Sequence, residues 1–378
     1  MKIGIDARGL EKNKTGIGTY TCEIIKILNE IDKENEYILY SNREIILDVK
    51  LNNNWTIKKY KAPLGSFGLY YIIPKMLKED NIDVFWGVQH CLPKKNNITK
   101  NIKFIVTVHD LAIEKLKNVG SFKNTIVQKI FLKRSCKNAD EIIAISEATK
   151  NDLISIFNIP NDKINVIYNG VNLKESNPLP TEKEQEILNK FNVLDKNYIF
   201  FVSTIEPRKN IVTLIKAFED IKEKEKDTLK LILSGGLGWK YKDVLTCISK
   251  SKYKDDILLT GYISKEEKNC LYKNNRCFVY PSLYEGFGLP ILEAMSNHSV
   301  VVTSNVSSIP EVGGDVAIYY NNVKDYKELS ETILKAIKMS EKEKEEIINR
   351  GLEQVKKFTW EKCAKETLQI LKKQFLFE

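Results

Sequence analysis

Short runs of β-branched, aliphatic and aromatic residues recur along the chain, each followed by a longer stretch with apolar positions at helical spacing. In the first half these runs are KIGI, EYILY, DVFWG, KFIVTV, EIIAIS and INVIY; in the second they are YIFFVS, LKLILSGG, DILLTG, CFVYPS and SVVVTS. Most lack the strict apolar–polar alternation of a half-exposed strand. They therefore predict strands buried on both faces, as in parallel sheets covered by helices. The pattern predicts two α/β domains. Between them lies YNGVNLKESNPLPTEKEQ, polar and carrying two prolines, the best linker candidate. The boundary falls near Asn172, giving domains over 1–172 and 173–358. Residues 325–350 alternate charged and aliphatic positions at helical spacing. A last helix over 359–378 places Trp360, Ala364, Leu368 and Leu371 on one face, which needs a surface to cover.

Composition agrees with this division. A chain of 378 residues, 43% hydrophobic and 29% charged, is too long for one ordinary core. The start MKIGIDARGL has no basic region leading into a long apolar run. No stretch of eighteen uncharged apolar residues follows, so neither a signal peptide nor a membrane span is expected, and the cytoplasm is the expected compartment. Seven cysteines (22, 91, 136, 247, 270, 277 and 363), odd in number and without a Cys-x-x-Cys pair, argue against a disulfide framework or a zinc site. They read as buried small apolar residues.

Charge adds one feature. The net charge is +9, but Leu51 to Lys137 holds 16 Lys and Arg against 5 Asp and Glu, so the rest of the chain is slightly acidic. A basic stretch of this kind is either a solvated lysine-rich surface or an attraction for anionic lipid on the inner face of a membrane. No recognised nucleic-acid motif accompanies it, so nucleic acid is not expected as a partner.

The glycines carry the first candidate chemistry. In KTGIGTY, Gly16 and Gly18 stand just ahead of an amphipathic stretch containing Ile24, Ile25 and Leu28. Glycines permit close backbone approach, and free amides at a helix start suit a phosphate. A dinucleotide fingerprint would want glycine at position 21, where Thr21 stands, and a tight turn directly after the strand, so NAD is not expected. In EGFGLP, directly after CFVYPS, Gly286 lets the chain turn, and Phe287, Gly288 and Leu289 offer amides at a second helix start with Pro290 in its first turn. Two diphosphate oxygens could dock there. STIEPRKN, at the end of the first strand of the second domain, supplies Arg208 and Lys209, unless these are only a surface pair at a helix-start turn.

Glu285 and Glu293 stand eight positions apart in YEGFGLPILE. With one before the helix and the other two turns inside it, they lie about 12 Å apart. Glycosidase carboxylates sit roughly 5 to 9.5 Å apart, so this pair is too wide for simple hydrolysis. It suits two parts of one ligand, with Glu285 near a sugar and Glu293 near a ribose; the bland alternative makes Glu293 a solvated helix residue.

At these residues YEGFGLPILEAM, together with EPRKN, GIGTY, TVHD and SSIPEVGGDVA, resembles the retaining glycosyltransferases of family 4, on the GT-B fold, and especially their bacterial mannosyltransferase-like branch. The resemblance runs along nearly the whole chain. It implies two Rossmann-like domains facing a central cleft over a nucleotide sugar, with the last helix crossing back onto the first domain. It implies that Glu285 contacts the donor sugar and Glu293 the donor ribose. Arg208 and Lys209 would hold the diphosphate with the amides of Phe287, Gly288 and Leu289, and Gly16 and Gly18 would close over the phosphate. His109, in TVHD at a strand end, resembles the family histidine near sugar and acceptor; by its context alone it reads as a loop or core histidine. The chain also departs from the pattern. Ser203 and Thr204 stand where relatives often carry an arginine, and His298 and Val300 where a glycine and a proline are common.

No Asp-x-Asp pair is present to hold a metal, so positive charge is expected from Arg208, Lys209 and helix N-termini, with no metal or cofactor. Retention, which the resemblance implies, is expected through attack on the face of departure, with a leaving phosphate oxygen taking the acceptor proton and His109 helping to hold the sugar. The expected donor leans towards GDP-mannose, with uridine or deoxythymidine diphosphate sugars as alternatives. The expected acceptor is a growing surface glycan or a lipid-linked saccharide. A nucleotide-sugar epimerase of the same two-domain architecture is the runner-up. Nothing in the sequence sets the oligomeric state.

Overall fold

The structure is a computed structural model describing residues 1–11, 16–61, 65–116, 122–172, 179–226 and 228–373. The chain divides into two compact units, Met1–Gly170 with Phe358–Glu378, and Val171–Lys357. Residues 173–178 of the linker candidate, Lys14 and Thr15 ahead of the first glycine pair, and the last five residues lie outside the described ones.

The first unit holds a seven-stranded sheet: β1 (Lys2–Asp6), β2 (Glu36–Ser41), β3 (Trp55–Lys59), β4 (Val84–Gly87), β5 (Lys103–Val108), β6 (Glu141–Ala144) and β7 (Ile164–Val166), in the order β3-β2-β1-β4-β5-β6-β7. The second holds β8 (Tyr198–Val202), β9 (Lys230–Ser234), β10 (Ile257–Gly261), β11 (Cys277–Tyr280), β12 (Val301–Ser304) and β13 (Ile318–Tyr320), in the order β10-β9-β8-β11-β12-β13. Every pairing is parallel. All six residues of β5 and all four of β4, β6, β11 and β12 are buried, which is why their sequences run apolar without alternating. All eleven predicted strands form. Sequence reading missed β3, an edge strand with only Trp55 buried, and β13, an edge strand of three residues.

In each sheet the strand order reverses beside the first strand, between β1 and β4 and between β8 and β11. Ligands of open α/β sheets bind beyond the carboxyl ends of strands at such switch points. The loops after these four strands carry most of the chemistry-bearing residues singled out from the sequence.

The C-terminal helix Trp360–Lys372 folds with the first unit. Thr359 caps it, accepting the Lys362 amide at 3.2 Å. Its buried face is Trp360, Cys363, Ala364, Thr367 and Leu371. Leu368, expected on that face, is only half-buried, because the stripe turns towards Thr367. Trp360 meets Tyr20 of the helix Gly16–Ile31 edge-on at 6.2 Å between ring centroids. Gly170 lies so close to this crossing that a Cβ would stand 2.1 Å from the Trp360 amide nitrogen, so no other residue fits. At the far end Lys103, buried at the start of β5, donates from Nζ to the carbonyls of Ile370 (3.1 Å) and Lys373 (2.6 Å), satisfying last-turn acceptors. Of the seven free cysteines five are buried as expected, while Cys91 and Cys247 are half-exposed.

Candidate active site

The second unit gathers Arg208, Lys209 and Glu285 at its switch point. After β8 the chain makes a short turn, Pro207–Lys209, and enters the helix Ile211–Glu225 through Asn210 in a left-handed conformation (φ 57°). That turn aims both cations at the loop leaving β11. Lys209 Nζ donates to Glu285 Oε1 at 2.6 Å, and Arg208 Nη1 to Glu285 Oε2 at 3.2 Å. Arg208 Nε also donates to Glu206 at 3.1 Å. Tyr280, the last residue of β11, closes the cluster: its hydroxyl accepts from Lys209 Nζ at 2.8 Å and donates to Glu285 Oε1 at 2.9 Å, and the ammonium lies 5.1 Å from the centre of its ring.

The Lys209 and Glu285 side chains are 6% and 7% exposed. Burial alone would push the Glu285 carboxyl up, but Lys209 and Arg208 outweigh it and hold its pKa down to about 2. Burial pulls the Lys209 ammonium below the ordinary lysine value, opposed by Glu285. Burial, with Glu285 beside it, raises the Tyr280 hydroxyl well above its usual range, so it remains a donor. The result is one anion held between two cations in a dry setting.

Serines pin the loop behind Glu285. Its amide donates to Ser307 Oγ at 2.9 Å, and Ser308 Oγ reaches the carbonyls of Glu285 (3.0 Å) and Phe287 (2.9 Å). These two serines open the stretch SSIPEVGGDVA, so that stretch acts as a brace. Gly288, at φ 108°, is the N-cap of the helix Leu289–Ser296, and Pro290 stands in its first turn. Among the described residues the Gly288 and Leu289 amides meet no protein acceptor, leaving two donors at a helix N-terminus beside the cluster.

Glu293 is not part of this cluster. It lies inside the same helix, bound to Lys268 at 2.8 Å and to the Tyr272 hydroxyl at 3.3 Å. The two glutamates thus have separate partners, and Glu293 is an ion-paired residue rather than a free solvated one. His298 is exposed, with φ 62°, and its amide reaches back to Met295, so it ends the helix at a position that favours glycine. The Ser203 carbonyl packs on Gly235, its oxygen 2.0 Å from where a Cβ would stand.

The first unit has its own constellation. Gly16 and Gly18 lie inside the first turn of the helix Gly16–Ile31 rather than ahead of it. Gly18 is buried, and its Cα would lie 3.7 Å from a Cβ on Gly9; Gly16 is open. His109, just past β5, is buried, and its Nε2 lies 2.9 Å from the Val88 carbonyl. A carbonyl can only accept, so Nε2 carries the proton. Burial lowers the His109 pKa to about 3, helped by neighbouring His90, so the ring is neutral near pH 7. Tyr20 packs edge-on against it at 5.0 Å.

Sequence reading missed Tyr280, His90, Lys268 and a buried pair at the end of β1, where Arg8 donates twice to Asp6, at 2.8 and 2.7 Å. A charged Asp at the end of an otherwise apolar strand, followed by Ala-Arg-Gly, was the available signal for that pair.

The family model for Glycosyltransferase Family 4 matches residues 32–175, and that for glycosyl transferases group 1 matches 183–354. The O-antigen chain mannosyltransferase B of Escherichia coli is 29% identical over 98% of this chain and 100% of its own. The O-antigen chain mannosyltransferase RfbU of Salmonella typhimurium is 28% identical over 82% of this chain and 84% of its own. Among solved structures, WaaG, a glycosyltransferase involved in lipopolysaccharide biosynthesis, superposes with a TM-score of 0.76 at 13% identity, covering 99% of this chain and 100% of its own. HepE of Anabaena, in complex with UDP and glucose, superposes at 0.74 and 15% identity, with 99% of each chain covered. These likenesses show the GT-B fold. Nothing in the matches supports the epimerase alternative.

Proposed function

Because the chain belongs to the family 4 glycosyltransferases, we propose that it moves mannose from GDP-mannose to a hydroxyl of a lipid-linked surface glycan, with retention and without a metal. The observation that carries this reading is the Glu285 carboxylate, buried between Lys209 and Arg208 beside the unpartnered helix-start amides of Gly288 and Leu289. A leaving nucleoside diphosphate gains negative charge as the glycosidic bond breaks. Two cations and a helix N-terminus, fixed before the substrate arrives, stabilise that charge without reorganisation. Glu285, held ionised, is free to accept hydrogen bonds from donor sugar hydroxyls on the oxygen edges its cations leave open. The amides of Gly286 and Phe287 belong to the same turn, and Glu293 with Lys268 is assigned to the donor ribose. In the first unit Gly16 and Gly18 are assigned to the phosphate and His109 to the sugar.

His109 bears on the mechanism. A neutral imidazole with a pKa near 3, its Nε2 proton committed to Val88, is a weak base at neutral pH. This favours the same-face route, in which the departing phosphate oxygen takes the acceptor proton. Mannosyl transfer and the surface-glycan acceptor are supported by the names of the two relatives, both O-antigen chain mannosyltransferases. Within the basic stretch 51–137, Lys58, Lys75, Lys95, Lys115 and Lys129 are held in ion pairs and Lys103 caps a helix, so attraction to an anionic membrane falls to the remaining lysines. Among the described residues no helix is long and apolar enough to cross a membrane. The test is a thermal-shift panel of nucleotides and nucleotide sugars. GDP and GDP-mannose should raise the melting temperature most; stabilisation by UDP- or deoxythymidine-diphosphate sugars alone would replace the donor.

A further inference from the structure

Two of the three histidines in the chain stand ring to ring beyond the carboxyl ends of the adjacent strands β4 and β5. His90 and His109 meet edge-on, with centroids 5.2 Å apart and planes at 70°. His109 leaves the end of β5, and His90 lies in the loop leaving β4. That loop is tightly held. A Cβ on Gly87 would stand 2.3 Å from the Cys91 carbonyl oxygen, so the chain folds back on itself directly after the strand. The Val88 carbonyl accepts the hydrogen bond from His109 Nε2, and the Gln89 side chain lies against Gly9, 2.6 Å from where its Cβ would be.

Within this loop His90 adopts a left-handed backbone, φ 60°, an uncommon conformation for a residue with a side chain. Its Nδ1 is shielded from solvent and, among the described residues, has no hydrogen-bond partner. Native proteins rarely leave such an atom unmatched, because a buried polar group without a partner forfeits the hydrogen bond that water gave it. Neither the glycines nor His109 explains it. The missing partner must suit a neutral imidazole nitrogen, which donates or accepts according to tautomer. A hydroxyl does both, whereas a phosphate or carboxylate needs a donor.

We propose that His90 is a sugar-binding residue of the first unit, its Nδ1 hydrogen-bonded to a hydroxyl of the saccharide on which the enzyme acts. The ligand's identity rests on the transferase reading above; the assignment of the atom rests on the loop. His90 forms no covalent bond to the sugar and moves no proton in the reaction. It fixes the orientation of a hydroxyl.

Two substitutions separate the ring from the backbone. His90→Gly keeps the left-handed conformation and removes the ring. His90→Asn also tolerates that conformation and returns a polar atom close to the position of Nδ1. Transfer is measured with GDP-mannose and a mannose-terminated lipid-linked oligosaccharide, and GDP and GDP-mannose binding by calorimetry. The glycine variant should lose about tenfold or more in kcat/KM, the size of one lost transition-state hydrogen bond. Its affinity for GDP should be unchanged, and the asparagine variant should recover to within about threefold. Weaker binding of GDP-mannose relative to GDP would place the hydroxyl on the donor sugar; a rise in acceptor KM alone would place it on the acceptor. Wild-type kinetics in His90→Gly, or equal impairment in both variants, would overturn the inference while wild-type turnover left the transferase reading standing. A wild-type protein that released no GDP from GDP-mannose would remove the donor reading and this inference together.

Discussion

Glu285→Gln, Lys209→Met and their combination test whether the buried cluster is one energetic unit. In Glu285→Gln the Lys209 ammonium keeps the Tyr280 hydroxyl but faces a neutral amide oxygen in place of a carboxylate, with its side chain only 6% exposed. Breaking a buried pair by removing one partner costs about 3–5 kcal/mol. The lower end of that range applies, because burial already draws the Lys209 pKa down and the Tyr280 hydroxyl stays with the ammonium. A value of about 3 kcal/mol is therefore expected. Lys209→Met leaves Glu285 with Arg208, whose side chain is 19% exposed, and should cost a similar amount. Removing both leaves no orphaned charge between them, so the double variant should be more stable than the sum of the singles by about 2 kcal/mol or more. The chain has two units, so a single unfolding curve would blend two transitions. Native-state hydrogen exchange of peptides spanning β8 and β11 reads the right one. A coupling below about 0.5 kcal/mol, the scatter of independent sites, would refute the claim that these side chains act together. Activity should fall at least about tenfold in all three variants, including the restabilised double.

Acidification should destabilise the first unit well above the range of ordinary carboxylates. His109 has a folded pKa near 3, below its ordinary 6.5, so between these values the unfolded chain binds the extra proton and stability rises with pH. At about 1.4 kcal/mol per unit, moving from pH 7 to 5 removes roughly 2 kcal/mol. His90, also lowered by burial, adds to the same slope, so His109→Gln should flatten the melting-temperature profile without abolishing it; an unchanged profile would show that His109 titrates normally. Glu285 acts lower, its contribution lost as pH falls from about 4.5 towards 2. Chelator should leave the transfer rate unchanged; a rate abolished by chelator and restored by magnesium would refute the metal-free mechanism.

Much of this was legible in the sequence because buried parallel strands advertise themselves as unbroken apolar runs. β3 was not, since an edge strand with one buried residue looks like loop, and neither was β13, whose three residues fall below any periodic signal. The turn around Glu285 could be read from its glycines and proline, whose backbone demands are local. Tyr280 could not, because its value lies in a hydroxyl reaching Lys209, 71 positions away along the chain. Ser307 and Ser308 brace Glu285 from 22 and 23 positions away. His90 was invisible for a related reason: a left-handed backbone and an unmatched nitrogen are properties of packing, not of spacing. The last helix was placed correctly but its face was off by part of a turn, because Cys363 and Thr367 pack as small residues where Leu368 was expected.

The central claim is that this cluster transfers a mannosyl group rather than merely binding its donor. GDP release from GDP-mannose, with and without a mannose-terminated lipid-linked oligosaccharide, measured side by side for wild type and Glu285→Gln, tests it most directly. Release that depends on the acceptor, and that falls at least about tenfold in the variant while its circular dichroism is preserved, is the expected result. Release indifferent to the acceptor, or equal in the two proteins, would contradict it.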